Sequence, residues 1–547
     1  MNTQVVIWIC AAVLAGASDA ARADVITLAG TVVDANTAKP IPCRIHLEDV
    51  AGEYQVPEGH VAKPERTNWE VEWQKDVIKN KERVYALLDD GKFTVELAPK
   101  DGYRLEIVHG FEYEVANLTL DLADQTGTVS KKFPLKRAIN MRKLGWMCAD
   151  THVHELTALG CLRQAKVEGV DYVNLMMEGP NNYIHKQGLI NGKPADVSDG
   201  DTIVYISQEV RDHQYGHMTL LGIAEPIKPV RVYTGKSVFK PKAETRPNEP
   251  RNDQVWDMVH SHGGMAGHAH AGFWPGHGLA QTAALKKLDG IEVFNPDLAG
   301  RPLKRLKVNV PGYEIGYFNE IYYRMLNCGI RQPLWGGTDK MSPDRVVGGQ
   351  RVYAKVDSWT HEGFMAGMAS GQTFVTNGPL LFLSANGQPI GSDLKFEGKG
   401  PFTVKVVARM HTEYPVSKAE LIQDGKVVHT VSVAKDQRDL TIKSDLTFTG
   451  SGWLAFRVTS PKTGVTGRWN FKRCSAHTSP IYVTVNGKLP ADLPSATYLV
   501  ARLDASIKWI ESEAAFSSEQ NRQDARKSFA QAKQFYVDAL ARAKAAR

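Results

Sequence analysis

The stretch Gly145-Trp146-Met147-Cys148-Ala149-Asp150-Thr151-His152-Val153-His154 is the most informative part of this chain. Its first half is apolar and strand-like, and its second half carries two histidines two residues apart. In an extended segment residues i and i+2 point to the same side, so His152 and His154 can chelate one ion through neutral imidazoles. Asp150 can orient one of the rings from behind. The stretch therefore predicts a strand that ends in a metal site.

Short apolar runs follow this strand along the chain, and helix-like segments separate several of them. The runs are Tyr172–Met177, Ile203–Ser207, Thr219–Ile223, Met265–Gly267, Gly290–Phe294 and Pro333–Gly337. Val255–Ser261 and Asn319–Asn327 have helical patterns. This alternation predicts an α/β domain of parallel strands over residues 138–379. Right-handed crossovers would bring the carboxyl ends of such strands to one face, where loops carry function.

Side chains that bind metals stand at the ends of these runs. They are His152, His154, Glu209, His217, His268, His270 and Asp339, with Glu292 at the end of a further run. Imidazole and carboxylate ligands without thiolate suit Zn²⁺, Mn²⁺ or Fe. A closed structural zinc site needs only four ligands. The larger number of candidates predicts an open catalytic site or one with more than one ion.

The composition is that of an ordinary globular protein. The chain has 547 residues, 23% of them charged, and a net charge of +6 from 66 Lys and Arg and 60 Asp and Glu. At roughly 100–200 residues per domain this length predicts about three or four domains. Lys and Arg form no dense tract outside the C-terminal end, so a nucleic-acid partner is not expected.

The sequences on either side of the α/β domain predict three further units. Residues 24–137 alternate in strand fashion and resemble carboxypeptidase-regulatory-like β-sandwich modules, with a hairpin formed by Phe93–Leu97 and Tyr103–Val108. Residues 380–488 also predict a β-sandwich. Residues 489–547 repeat apolar side chains at helical spacing and predict a helical hairpin docked on the body.

The first 23 residues predict a signal peptide. Val5–Val13 is apolar, and Ala21-Arg22-Ala23 offers a cleavage site; the alternative is an N-terminal strand. Cleavage near Ala23 predicts a periplasmic or secreted protein. No later stretch reaches ~18 apolar residues, so stable membrane insertion is not expected. Five cysteines remain after cleavage and include no C-x-x-C pair, which leaves at most one or two disulfides. The oligomeric state is left open.

The order of the metal-binding motifs resembles that of the polymerase-and-histidinol-phosphatase (PHP) superfamily. The opening stretch and Thr373-Phe374-Val375-Thr376-Asn377-Gly378-Pro379 resemble more specifically the CehA/McbA-type metallohydrolases of that superfamily. The resemblance covers nearly the whole mature chain. It implies a distorted (β/α)7 barrel with metal ions at the carboxyl ends of the strands. It also implies metal-dependent hydrolysis, which in the named members acts on aryl carbamates.

Carried over position by position, the resemblance implies six metal ligands. These are His152, His154, Glu209, His217, His270 and Asp339, with Glu209 as the bridging carboxylate if two ions bind. The chain departs from the superfamily at two places. Glu178 ends the Met-Met-Glu that replaces Thr-Asp-His, and Met341 replaces the histidine of an Asp-x-His motif. One or two divalent ions (Zn, Mn or Fe) are therefore expected rather than three.

Two further sets of residues are candidates for the chemistry. His268, Glu178 and Lys340 are candidates for the acid/base group that protonates the leaving group after attack by a metal-activated water. Phe273, Trp274 and Trp335 are candidates for lining an apolar pocket around an aromatic group, and core packing is the alternative for each.

Three functions are compatible with this pattern. The first is an exported metal-dependent hydrolase of an ester, carbamate or amide bond in a small-molecule substrate. The second is a phosphoesterase, which would use a cation such as Lys340 or Arg345 at the metal face. The third is a non-catalytic binding protein on a decayed hydrolase fold.

Overall fold

The computed structural model describes nine stretches of the chain. They are residues 25–58, 85–154, 156–177, 189–229, 247–271, 276–294, 319–340, 345–460 and 474–546. Residues 1–23, which carry the predicted signal peptide, lie outside these stretches, as do Glu178, Phe273 and Trp274. What the sequence predicts for those residues stays a prediction.

The N-terminal unit consists of two small sheets around a hydrophobic core of their own. Its strands are β1 (Ile26–Asp34), β2 (Cys43–Glu48), β3 (Ala86–Leu88), β4 (Lys92–Leu97), β5 (Tyr103–Val108), β6 (Ala116–Leu120) and β7 (Thr128–Leu135). One sheet has the order β4-β1-β7 and the other the order β3-β2-β5-β6. Buried positions alternate along β4, as they do in a strand that covers a core with one face.

The hairpin predicted in this unit is wrong. β4 pairs with β1, whereas β5 pairs with β2 and β6, so the two strands belong to different sheets. The turn between them, with Gly102 at φ +85°, carries the chain from one sheet to the other. A turn inside a sheet and a corner between two sheets have the same local sequence pattern, and only the choice of strand partner distinguishes them.

The central unit is mixed α/β. Its strands are β8 (Trp146–Val153), β9 (Tyr172–Met177), β10 (Ile203–Val210), β11 (Met218–Leu221), β12 (Met265–His268), β13 (Gly290–Phe294), β14 (Leu334–Gly336), β15 (Arg351–Lys355) and β16 (Thr373–Thr376). Its helices are α1 (Ala158–Val167), α2 (Asn252–Ser261), α3 (Gly278–Ala284), α4 (Asn319–Asn327) and α5 (His361–Ser370).

Seven of these strands, β8 to β14, lie side by side in chain order. Neighbours are parallel except that β11 runs antiparallel to both β10 and β12. The prediction of parallel strands is therefore wrong for β11. Segment 211–217, which joins β10 to β11, is too short for a crossover helix, so the chain turns back beside β10.

The two outer strands of this order approach each other at their carboxyl ends. Thr151 Oγ1 donates to the carbonyl oxygen of Gly336 at 3.2 Å, and Val153 forms an isolated parallel bridge with Lys340 just beyond β14. The residues that follow β8 and β14 are thereby neighbours. The predicted (β/α)7 barrel requires a continuous ladder around the seven strands, and it stays a prediction.

The C-terminal β unit continues the central sheet. Its strands are β17 (Leu380–Ala385), β18 (Gln388–Pro389), β19 (Asp393–Phe396), β20 (Phe402–His411), β21 (Lys418–Gln423), β22 (Lys426–Ser432), β23 (Asp439–Phe448), β24 (Gly452–Thr459), β25 (Ser475–Thr478) and β26 (Ile481–Val485). β15 pairs with β8 and β16 pairs with β25, so one sheet extends across residue 379, where the sequence predicts a domain boundary. β17, β18, β20 and β23 form a separate four-stranded sheet.

Two long helices end the chain, α6 (Leu493–Ser512) and α7 (Glu519–Ala545), and form the hairpin that the sequence predicts. The hairpin docks on the central unit through α3. Tyr536 Oη donates to the carbonyl oxygen of Ala280 at 3.0 Å, and Gln281 Nε2 donates to Ser528 Oγ at 2.8 Å.

The cysteines of the described stretches are all buried free thiols. They are Cys43, Cys148, Cys161, Cys328 and Cys474. In the same stretches, no helix is long and apolar enough to cross a membrane.

Candidate metal centre

The six predicted ligands come together at the carboxyl ends of the central strands. His152 lies in β8 and His154 directly follows it, while Glu209 is the penultimate residue of β10. His217 immediately precedes β11, His270 follows β12, and Asp339 follows β14. We call these six residues the metal cluster.

The first part of the cluster is built on β8. His152 Nε2 lies 3.0 Å from His154 Nε2. Glu209 Oε2 lies 3.3 Å from His154 Nε2, and Glu209 Oε1 lies 3.6 Å from His152 Nε2. Asp339 Oδ1 lies 3.5 Å from His152 Nε2. His152, His154 and Glu209 form a group whose ligand atoms all lie within 4.8 Å of one another, and we call it the first metal group.

The second part shares the same glutamate, through the oxygen Oε1 that also faces His152. Glu209 Oε1 lies 3.0 Å from His217 Nδ1 and 3.6 Å from His270 Nε2. Glu209, His217 and His270 form another group within 4.8 Å, the second metal group. Glu209 therefore belongs to both groups, in the position that the resemblance implies for a bridging carboxylate.

The donor chemistry of these groups fits a metal ion. His152, His154 and Glu209 are at most 1% exposed, and nitrogens of three imidazoles lie within 3.6 Å of the Glu209 carboxylate. Buried imidazole and carboxylate ligands of this kind can hold a divalent ion. Asp339 is the most accessible member, with a side chain that is 22% exposed, so the cluster opens to solvent on its side.

Glu292 orients the first metal group from behind. His152 Nδ1 donates to Glu292 Oε2 at 2.9 Å, and Thr219 Oγ1 donates to the same oxygen at 3.1 Å. This bond keeps a proton on Nδ1 of His152 and makes Nε2 the nitrogen that faces the cluster and can bind a metal once its own proton is released. The sequence shows Glu292 as an acid inside an apolar run, but it does not reveal this role.

Asp150 does not orient a histidine ring, and that prediction is wrong. Its carboxylate accepts from the backbone N of His152, from the N and Oγ1 of Thr338, and from the N of Gly348. Asp150 thus fastens the segment that precedes Asp339 to β8. Its oxygens bond to backbone groups and to Thr338 rather than to an imidazole, and a shift of register between Asp150 and Val153 interrupts the regular alternation of side chains there.

Two residues of the cluster have unusual backbone conformations. His270 has φ +33° and Asp339 has φ +47°. Positive φ costs free energy in residues other than glycine, and it persists where the surrounding structure demands it. Both residues leave their strands at these points, which turns their side chains inward to the cluster.

The charges of the cluster differ between its two parts. Burial disfavours a charged His152, but the carboxylates of Glu292, Glu209 and Asp339 raise its pKa to about 10. Burial, together with His270 and Arg211, lowers the pKa of His217 to about 4. Without metal, His217 therefore offers a lone pair at neutral pH, whereas His152 must first release a proton.

Two arginines border the open side of the cluster. Arg211 Nε lies 3.3 Å from Glu209 Oε2, and Arg345 Nη1 lies 3.6 Å from Asp339 Oδ2. Burial opposes the charge of Glu209, yet Arg211, His217 and His152 hold the pKa of this carboxyl well below its usual range. His213 Nδ1 also lies 3.0 Å from His217 Nε2. Arg211 and His213 stand in a loop without a periodic pattern, and the sequence analysis missed both.

Two of the predicted acid/base residues, His268 and Lys340, lie in the described stretches. In the ladder, His268 is in register with Met218 and Ile291, on the face opposite to Thr219 and Glu292. Lys340 is 1% exposed and bonds through its backbone to His152 and His154. The register therefore turns His268 away from the cluster, and the catalytic roles of His268 and Lys340 stay predictions.

Trp335 is completely buried beneath the cluster. It is in register with Glu292, and a Cβ added to Gly267 or Gly290 would lie 2.4 Å or 2.0 Å from its ring. The absence of side chains at these two glycines makes room for the indole. In this position Trp335 packs in the core, and its role in substrate binding stays a prediction.

The chain was compared with known proteins in three ways. No family model matches it, no curated protein matches it, and no solved structure matches it.

Proposed function

We propose that this protein is an exported metal-dependent hydrolase that uses an activated water to cleave an ester, carbamate or amide bond of a small molecule. The observation that carries the proposal is the position of Glu209, whose carboxylate belongs to both metal groups. Such a shared carboxylate supports two ions held side by side. Zn²⁺, Mn²⁺ and Fe are the ions that suit this donor set.

Divalent ions held there would lower the pKa of a water toward ~7 and polarise the acceptor oxygen of the substrate. The residues of the chain prepare the site for this chemistry. Glu292 keeps a proton on His152 Nδ1, so that Nε2 is available as a ligand. Burial of His152, His154 and Glu209 excludes bulk water and fixes the ligand atoms before substrate arrives. The open side at Asp339 is the route for substrate.

A phosphoesterase is the second candidate, and one observation favours it. Arg211 and Arg345 lie beside Glu209 and Asp339 at the open side, with side chains about one-fifth exposed. A guanidinium in this position can bind a phosphoryl oxygen. The same arginines could equally well bind an anionic group on a carboxylic ester substrate. The two classes of substrate must therefore be compared directly.

The test begins with the metal content of the purified mature chain, measured by elemental analysis. Activity is then measured on naphthyl carbamate, naphthyl acetate and nitrophenyl phosphate. We expect bound metal and faster cleavage of the carbon esters than of the phosphate. Faster cleavage of the phosphate would favour the second candidate. Bound metal without any turnover would favour a binding protein, and a metal-free, inert chain would refute both enzymatic proposals.

The ligand assignment has its own test. His152→Ala combined with Asp339→Ala should abolish metal binding by the first metal group. The matched control is His262→Ala combined with Asp257→Ala, because these residues belong to α2 and the segment after it and contact Glu225 and Lys287 instead. The assignment is wrong if the first double variant retains as much metal as the control.

A further inference from the structure

The C-terminal hairpin contacts the segment that precedes α3. The hairpin itself is far along the chain from the residues of the metal cluster. Trp509 of α6 stacks on His277, with ring centroids 4.3 Å apart and planes inclined by 10°. His277 Nδ1 lies 2.9 Å from Ser506 Oγ. Arg502 donates to the carbonyl oxygen of Gly276 at 2.5 Å. One face of α6 thus binds Gly276 and His277 through a ring contact and two hydrogen bonds.

This segment in turn holds the loop of residues 211–217, which we call the His217 loop. The backbone N of His277 donates to the carbonyl oxygen of Gln214 at 2.7 Å, and that of Gly278 donates to Tyr215 at 2.9 Å. A Cβ added to Gly276 would lie only 2.2 Å from the backbone of Gly216. The two segments approach so closely that a shift of one must displace the other.

The hairpin also contacts the His217 loop directly. The ring of Trp509 meets the ring of Tyr215 edge-on at 5.7 Å. Tyr215 Oη donates to the carbonyl oxygen of Asn248 at 3.1 Å. The backbone N of Asn248 donates to the carbonyl oxygen of Ala515, in the turn between α6 and α7, and the backbone N of Ala515 donates to Asn248 Oδ1. Tyr215 stands two residues before His217, so these contacts fix the backbone that aims the His217 ring.

The first metal group is supported differently. His152 lies within β8, and Glu292 of β13 orients its ring. The backbone of Lys340 is bonded to His152 and His154. These supports belong to the central sheet itself. The second group, in contrast, takes His217 from a loop, and the backbone of His217 accepts from Ala269, next to His270.

We propose that the C-terminal hairpin is a positioning element for the second metal group and that Trp509 is its central positioning residue. Docking of α6 sets the affinity of Glu209, His217 and His270 for a divalent ion and leaves the first metal group unchanged. This inference rests on the proposed two-ion site. It assigns to the hairpin a role in metal loading, although no residue of the hairpin is a ligand.

The test is a titration of the metal-free mature chain with Co²⁺, followed by its visible absorption. His217→Ala and His152→Ala identify which equivalent belongs to which group. Trp509→Leu, which keeps an apolar side chain but removes the ring, should weaken the second-group equivalent about tenfold and leave the other unchanged. Ser506→Ala is the milder variant and should weaken the same equivalent by a smaller factor.

Tyr498→Leu is the matched control. It also removes an aromatic ring from α6, but this ring lies against Arg324. It should bind Co²⁺ as the wild type does. The inference is overturned if Trp509→Leu binds both equivalents normally, or weakens both equally, or weakens only the one that His152→Ala removes. The inference is also overturned if the wild type binds only one Co²⁺ ion per chain and His217→Ala does not change its affinity. A wild-type chain that binds no Co²⁺ removes the proposed function as well.

Discussion

Two buried clusters of charged residues in this protein invite comparison. One is the metal cluster, and the other, which we call the interface cluster, consists of Arg44, Glu168 and Arg351. Arg44 of β2 pairs with Glu168, which follows α1, and thereby joins the N-terminal unit to the central unit. Arg351 donates to the carbonyl oxygens of Gly348 at 2.6 Å and Glu168 at 3.1 Å. All three side chains are at most 1% exposed.

The difference lies in which groups face each other. In the interface cluster, donors face acceptors, since Arg44 faces the carboxylate of Glu168 and Arg351 faces carbonyl oxygens. In the metal cluster, imidazole nitrogens face other imidazole nitrogens, as at the 3.0 Å approach of His152 to His154. Two imidazole nitrogens this close need a proton or a metal cation between them, and because the pKa of His152 is raised to about 10, a proton fills this place in the metal-free chain. Burial of charge alone therefore does not mark a functional site, whereas convergence of like ligand atoms does.

The largest expected effect separates the two clusters by function. Glu209→Gln removes the carboxylate that both metal groups share, so the protein should lose both ions and about a thousandfold or more of its hydrolytic activity. Elemental analysis and the naphthyl ester assay measure the two losses. Arg351→Lys serves as the control and should retain the metal. Full metal content in Glu209→Gln would contradict the comparison.

A variant of the interface cluster should have the opposite outcome. Glu168→Ala leaves Arg44 buried without its carboxylate, which typically costs about 3–5 kcal/mol of unfolding free energy. Urea denaturation measures this cost, and Co²⁺ titration should give an unchanged stoichiometry. The double variant Arg44→Met with Glu168→Ala should regain part of the loss, because it no longer buries an isolated charge. A single variant as stable as the wild type would refute the pairing.

Glu292→Gln probes the support of the metal cluster without removing a ligand. A glutamine can accept the hydrogen bond of His152 but lacks the negative charge, so metal affinity of the first group should fall about 10- to 100-fold. Competition with a chelator measures the affinity. The thermal midpoint of the metal-free chain should also fall, because protonated His152 then lacks the carboxylate that raises its pKa. An unchanged affinity would mean that Glu292 is only a packing residue.

The smallest expected effect concerns a buried acid near the interface cluster. Burial, reinforced by Asp171, raises the pKa of Glu112 to about 7, although a backbone hydrogen bond from Met141 opposes the rise. The folded protein therefore holds a proton that the unfolded chain releases near the ordinary value of 4.5. Stability should fall as the pH rises from about 4.5 through 7 and should stay lower above that range.

Glu112→Gln should remove this part of the pH dependence. The gain relative to the wild type should be about 2 kcal/mol near pH 8 and close to zero near pH 5, less than the full shift implies because the side chain keeps some contact with water. Urea denaturation at the two pH values measures it, with metal content as the unchanged reference. Equal gains at both pH values would contradict the assignment.

Much of the central unit can be read from local patterns. The predicted runs Tyr172–Met177 and Gly290–Phe294 coincide with β9 and β13, and Asn319–Asn327 coincides with α4. The six candidate ligands stand at strand ends, where polar groups interrupt apolar runs. Where pairing matters, local patterns fail, since the hairpin predicted between β4 and β5 and the orientation of β11 depend on partners distant in the chain.

The candidate ligands could be named from the chain alone, since H-x-H pairs and isolated acids after apolar runs are visible in the order of residues. Only the tertiary structure decided how they are supported. The ring of His152 is oriented by Glu292 and not by Asp150, whose carboxylate accepts from the backbone of His152 and Gly348 and from Thr338 instead. The contact of Trp509 with the His217 loop joins residues almost 300 positions apart. No local pattern encodes such a contact, because its free energy comes from packing that forms only when the helices dock.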